Sequence, residues 1–336
     1  MTLWIGSYTA RGGGGLYPLE LRGGQLNLGR PEASIANASF GIWSRRHRLA
    51  YFVDEQEAGR VMAWKRTAEG WREVGASGSG GALPCFLALH PGGTHLAVAN
   101  YADGSVALLR LDKATGSIRG LADIRRLSGR GPVPHRQSGP HAHCVRFSDD
   151  GRSLYAVDLG LDRIVRYPVI GDKLGAPATA FAAPPGSGSR HLLLERGGKL
   201  AFLLTELSAE LFLLAPTAAG TFTCADRVSL LPEPFAGDNL GGHLEMQPLT
   251  GEVLVTNRGH DSIVTFAARG GGLRQKDWTF TGGASPRHFW SDGKVAIVAH
   301  EESGTVSLVS FGESDRAAQL VTTLSVPGAA FVLETP

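Results

Sequence analysis

PCFLALHPGGTHLAVANYADGSVALLRL, residues 84–111, decides the fold. It reads as a strand CFLAL, a Pro-Gly-Gly turn, a second strand HLAVAN, the turn YADG and a third strand SVALLRL. Glycine and aspartate at the joints suit the positive backbone angles that tight hairpins require. The strand interiors are apolar or small throughout rather than alternating, which predicts strands covered on both faces.

The pattern recurs along the chain. Copies are SFGIWSRRHRLAYFVDEQEAGRVMAWKR (39–66), HCVRFSDDGRSLYAVDLGLDRIVRYPV (143–169), RHLLLERGGKLAFLLTELSAELFLLA (190–215), HLEMQPLTGEVLVTNRGHDSIVTF (243–266) and RHFWSDGKVAIVAHEESGTVSLVSF (287–311). The second strands end at Ser7, Asp54, Asn100, Asp158, Thr205, Asn257 and His300, at intervals of 43 to 58 residues. A strand-rich unit of this period predicts an all-β, seven-bladed β-propeller, each unit forming one four-stranded blade. LWIGSY (3–8) is a second strand without a first, and GAAFVLE (328–334) is a first strand without a second. Residues 329–333 are therefore expected to be the inner strand of the blade begun at Leu3, closing the ring and removing an open sheet edge. Seven such units fill residues 1–336 as one domain.

The 336 residues carry a net charge of +2 with 19% charged side chains. That is an ordinary globular balance, with no nucleic-acid footprint. Cys85, Cys144 and Cys224 are an odd, widely spaced set that reads as reduced small hydrophobes. MTLWIGSYTA at the start lacks a basic region followed by a long apolar stretch, so no signal peptide is read there and a cytoplasmic location is expected. The longest apolar runs, such as LFLLA and VAIVA, are strand-length and far short of a membrane span.

In an antiparallel pair of strands, the start of the first and the end of the second lie at one rim. Collecting both positions over the repeat brings His141, His143, Arg190, Glu206, Arg258 and Arg287 toward one mouth, with Asn100, Asp158, Glu55 and Glu301 nearby. Arginines, histidines and carboxylates together make a poor core and a good anion site with acid/base groups. The longest interval contains DIRRLSGRGPVPHRQSGPHAH (123–143), which adds Arg136 to the candidates. Asn100 and Asp158 also suit turn or blade-joint roles, because short polar side chains bond their own backbone. No nucleophile elbow, dinucleotide loop or cysteine spacing for a metal is present, so neither cofactor nor metal is expected.

GSYT, VANYADGSV, RQSGPHAHCVRFSDDGRSLYAVDLGLDRI, GSGSRHLLLERGGKLAFLLTEL and VTNRGHDSIVTF together resemble the seven-bladed propeller lactonases. That group includes propeller-type 6-phosphogluconolactonases and carboxy-muconate lactonizing enzymes, and the similarity spans almost the whole chain. The resemblance implies a metal-independent site whose catalytic residues are His143, Arg190, Glu206 and Arg258. The chain departs from the family's usual Gly-Pro-Arg-His at Gly188-Ser189-Arg190-His191, and from Asn-Pro-Ser at Asn37-Ala38-Ser39.

The expected activity is hydrolysis of a small anionic sugar-acid lactone, 6-phosphogluconolactone or a related aldonolactone. His141, Arg287, Asn100 and Arg136 are expected to bind substrate. Three other readings compete with it. They are cycloisomerisation of a carboxy-muconate, a calcium-assisted lactonase using Glu55, Asp158, Asn257 and Glu301, and a non-catalytic scaffold. The sequence leaves oligomeric state open.

Overall fold

The computed structural model describes residues 2–31, 35–312 and 318–336. Its strands form seven antiparallel sheets, numbered here as blades in chain order. Blade 3 shows how sequence becomes sheet. Its strands are Pro84–Leu89, His95–Asn100, Ser105–Leu111 and Ile118–Arg126, which matches the three segments read above and adds an outer fourth. All six residues of His95–Asn100 are buried, as are all six of Leu49–Asp54 and of Ser153–Asp158. Each fully buried Leu, Val or Phe contributes roughly 1.5–3 kcal/mol relative to exposure, so these doubly covered strands anchor the blades.

The contacts divide the chain into two compact units. Residues 40–225 form one, which holds blades 2 to 5 apart from the last residues of the final strand. Its inner strands are Gly41–Ser44, Pro84–Leu89, Ala142–Phe147 and Ser189–Leu194. Blade 4 departs from four strands because its outer segment is split. Lys173–Leu174 and Ala178–Ala182 both pair with Arg163–Ile170, and Gly175, Ala176 and Pro177 interrupt them. Proline has no N–H to donate to a ladder.

Residues 1–39 and 226–336 form the other unit, with blades 1, 6 and 7. Here the expected closure is present. The C-terminal strand Ala329–Thr335 pairs with Thr2–Ser7, with Leu3 opposite Glu334 and Ile5 opposite Val332. The Trp4 indole donates to the Thr335 hydroxyl at 2.9 Å, tying residues from the two ends of the chain.

One irregularity recurs where the inner strands begin. The pairing of inner and second strands skips one residue at Cys85, His143, Arg190, Arg287 and Ala330, and Gly242-His243 stand opposite a single residue. Each is a β-bulge, a device that re-aims side chains at the end of a sheet. Three of the sequence candidates, His143, Arg190 and Arg287, occupy bulge positions.

Candidate functional site

The bulges and strand ends of blades 4 and 5 assemble a buried polar cluster around Glu206. This residue directly follows the second strand Ala201–Thr205, and its amide donates to the Gly188 carbonyl at 2.6 Å. Two guanidinium groups bond its carboxylate from different sides: Arg190 donates to Oε2 and Arg136 to Oε1. Glu206 and Arg190 are 2% and 3% exposed, which makes this a buried charge network rather than a surface pair. Arg136 is half-buried. Burial works against its charge, but the attraction of Glu206 and bonds to Glu206 and the Tyr101 side chain outweigh it and hold its pKa above the ordinary arginine value.

Arg190 makes a second contact, from Nη1 to His143 Nε2 at 2.6 Å. A guanidinium nitrogen only donates, so Nε2 accepts and the imidazole is the neutral form with its proton on Nδ1. His141, two residues earlier, is held differently. Its Nδ1 lies 2.8 Å from the Tyr101 carbonyl, which only accepts, so Nδ1 carries the proton and the Nε2 lone pair of the neutral ring stays available. The ring stacks on Tyr101 with centroids 4.8 Å apart, while His143 meets the same tyrosine edge-on at 5.6 Å.

Tyr101 is therefore a hub that the sequence reading passed over. It contacts both histidines and bonds Arg136. A signal existed: it directly follows a second-strand end, the repeat position held by Glu206, Arg258 and Glu301.

The strand ends themselves turn inward. Asn100 is fully buried, and its amide donates to the Ser79 carbonyl and the Ser105 hydroxyl. Asn257 repeats this with Leu230 and Ser262. Asp158 accepts the amides of His141 and Leu161 at 2.9 and 3.0 Å, and burial pushes its carboxyl pKa up to about 6. These side chains join blades and turns, and Asn100 directs its amide NH₂ at the fold while its Oδ1 is buried with no hydrogen-bond partner among the described residues. Of the basic loop, only Arg136 joins the cluster. Arg125 pairs with Asp123 and Arg126 with Asp103.

Arg258 and Arg287 belong to the other unit. There Arg287 donates to Glu301 Oε2 at 3.1 Å and lies over the Tyr8 ring at 5.6 Å, and Arg11 bonds the same carboxylate at 3.3 Å. Arg258 donates to the Gly241 carbonyl at 2.9 Å. Burial opposes ionisation of Glu301, yet Arg287, Arg258 and Arg11 together hold its pKa below the usual carboxylate value. A cavity of about 290 Å³ opens beside Arg11, Arg258, Asp261 and Glu301. Blade 7 thus repeats the pairing of blade 5, a bulged arginine on the carboxylate that follows the second strand.

Among the described residues, no three His, Cys, Asp or Glu side chains are arranged to hold a metal ion, and no helix is long and apolar enough to cross a membrane. Cys85 and Cys144 are buried and Cys224 is exposed.

Residues 2–334 match the family model described as Lactonase, 7-bladed beta-propeller. A 6-phosphogluconolactonase of Bacillus subtilis is 28% identical, over 96% of this chain and 95% of that protein. An uncharacterised protein of Lactococcus lactis is 30% identical over 90% of each. Among solved structures, the periplasmic gluconolactonase PpgL of Pseudomonas aeruginosa superposes with a TM-score of 0.90 at 26% identity, covering 98% of both chains.

Proposed function

This chain belongs to the seven-bladed β-propeller lactonases, and from that premise we propose that it hydrolyses a sugar-acid lactone at the cluster around Glu206. The substrate class is an aldonolactone, free or phosphorylated at its far end. The observation that carries the proposal is Arg190 Nη1, shared between His143 and Glu206 inside a buried cluster of opposite charges.

Lactone opening needs an activated water, a sink for the oxyanion and a proton for the leaving ring oxygen. Arg190 and Arg136 are fixed donors for the carbonyl oxygen as it becomes negative, and Glu206 holds both in place. Flanked by two guanidinium groups, Glu206 is a weak proton acceptor and serves as their anchor. His143 Nε2 is engaged by Arg190, so the base role falls to His141, whose Nδ1–H is pinned and whose Nε2 meets no donor among the described residues. The water oxygen bonds the carbonyl carbon while its proton passes to His141 Nε2. The ring C–O bond then breaks, and the imidazolium returns that proton to the departing oxygen, giving a hydroxy acid. Arg258 and Arg287 are proposed as functional residues of the other unit, and each, like His143, is open to its own substitution.

A cytoplasmic location is part of the proposal. It is supported by the buried thiols Cys85 and Cys144. The Pseudomonas relative is described as periplasmic, so fractionation decides the point.

The test is a panel of gluconolactone, 6-phosphogluconolactone and a carboxy-muconate, corrected for spontaneous ring opening. Turnover of an aldonolactone that falls about 10²–10⁴-fold in His141→Gln supports the reading. His143→Asn, whose amide oxygen can still accept from Arg190, retains much more. Turnover of the muconate alone, or full activity in His141→Gln, refutes it.

A further inference from the structure

The carboxylate of Asp162 receives more hydrogen bonds than any turn needs. Asp162 closes the tight turn after Asp158 with φ 54°, is 4% exposed and lies outside the catalytic set proposed above. Its Oδ1 accepts Gln137 Nε2 at 2.8 Å and the Gly188 amide at 2.6 Å, and its Oδ2 accepts the Gly186 amide at 2.7 Å. The Ser187 hydroxyl lies 3.4 Å from Oδ1. Its own carbonyl accepts the Ala183 amide at 2.9 Å.

These donors come from two segments, and each leads directly to an arginine of the site. Gly188 stands two residues before Arg190, and its carbonyl receives the Glu206 amide. Gln137 follows Arg136, is itself fully buried, and uses its second amide hydrogen on the Leu159 carbonyl. One carboxylate thus ties the loop bearing Arg136 to the turn that launches Arg190 and seats Glu206.

The arrangement is repeated in the other unit. Asp261 has φ 54°, its Oδ1 accepts the Ser285 amide at 2.8 Å, and its carbonyl accepts the Thr281 amide at 3.0 Å. Ser285 stands two residues before the bulged Arg287, as Gly188 does before Arg190. The Gln137 arm is particular to Asp162 and serves the long loop.

We propose that Asp162 is a positioning residue for lactone hydrolysis, setting Arg190 and Arg136 against Glu206 through Gly188 and Gln137. The inference rests on the Glu206 cluster being the catalytic site. Asn tolerates a left-handed backbone, so Asp162→Asn keeps the turn and changes the acceptors. An amide offers one oxygen to donors that now meet two, and its NH₂ opposes the amide N–H of Gly186 or of Gly188.

The test is a double-mutant cycle on kcat/KM with purified folded protein, using Asp162→Asn, Arg190→Ala and the pair. Asp162→Asn is expected to lower kcat/KM about 10–100-fold. In the Arg190→Ala background it is expected to lower kcat/KM by a clearly smaller factor than in the wild type, because one of the two groups it positions is gone. If Asp162→Asn does not fold, Gln137→Leu tests the other arm, with its effect expected to vanish beside Arg136→Ala. Multiplicative losses in the double variants overturn the positioning role, as does wild-type kcat/KM in the single variant while Arg190→Ala is impaired. Wild-type activity in Arg190→Ala is a different failure: it removes the site reading, and this inference falls with it.

Discussion

Replacing Glu206 by glutamine changes one atom of a buried network and tests its charge balance. The carboxylate is 2% exposed and takes a donor from each side, Arg190 on Oε2 and Arg136 on Oε1. Glutamine keeps one acceptor oxygen and turns an NH₂ toward the other guanidinium, donor against donor. Arg136, with about a quarter of its side chain exposed, can swing toward water. Arg190, 3% exposed, cannot, and keeps a charge without its counter-ion. Breaking a buried pair from one side costs about 3–5 kcal/mol. Removing Arg190 instead leaves Glu206 paired with Arg136, so Arg190→Ala is expected to be the milder change in stability. Urea unfolding of wild type, Glu206→Gln, Arg190→Ala and the double Arg190→Met/Glu206→Leu makes the comparison. The expected order has Glu206→Gln least stable, with the apolar double recovering part of the loss, since well-packed hydrophobic replacements of buried pairs are often neutral. A loss below about 1 kcal/mol in Glu206→Gln would falsify the claim that Arg190 has no route to solvent, because an exposed pair is worth only that much.

Three further outcomes follow from the described geometry. Burial raises the Asp158 pKa to about 6, so its ionisation penalises the fold as pH rises from about 4 to above 6. Asp158→Asn, whose oxygen can still accept the His141 and Leu161 amides, should gain on wild type by up to about 3 kcal/mol over that interval. A gap that does not change with pH removes the reasoning. His300 is shifted the other way, down to about 4 by burial, so it stays neutral in the fold and contributes stability above pH 6.5 that is lost as pH falls toward 4. His300→Asn adopts the residue found at the same repeat position in Asn100 and Asn257, and its acid-unfolding profile should be flatter through that range. Finally, turnover should be unchanged after exhaustive chelation, and a chelator-sensitive, calcium-restored activity would revive the calcium-assisted reading.

The blade pattern was legible because each second strand is a short apolar run closed by a polar residue. Burial of all six residues in HLAVAN and SLYAVD is what such runs require. Rim alignment was also legible: Pro84 pairs with Asn100, Ala142 with Asp158 and Pro286 with His300, as antiparallel strands dictate. The bulges were not, since no residue type marks them; Cys85, His143 and Arg190 share a bulge position and nothing else. For the same reason the sequence could group His141 with His143 but could not tell their roles apart. That depends on which ring nitrogen meets Arg190 and which meets the Tyr101 carbonyl. Asp162 was hidden as a plain turn residue, because its value lies in donors from residues 137, 186 and 188 that only the fold brings together.

The measurement that bears most directly on the central claim is kcat/KM for aldonolactone hydrolysis by Arg190→Ala against wild type, at equal folded concentration and corrected for spontaneous opening. Loss of one preorganised oxyanion donor predicts a fall of about 10²–10³-fold with the fold intact. A folded Arg190→Ala protein hydrolysing the lactone at the wild-type rate contradicts the account.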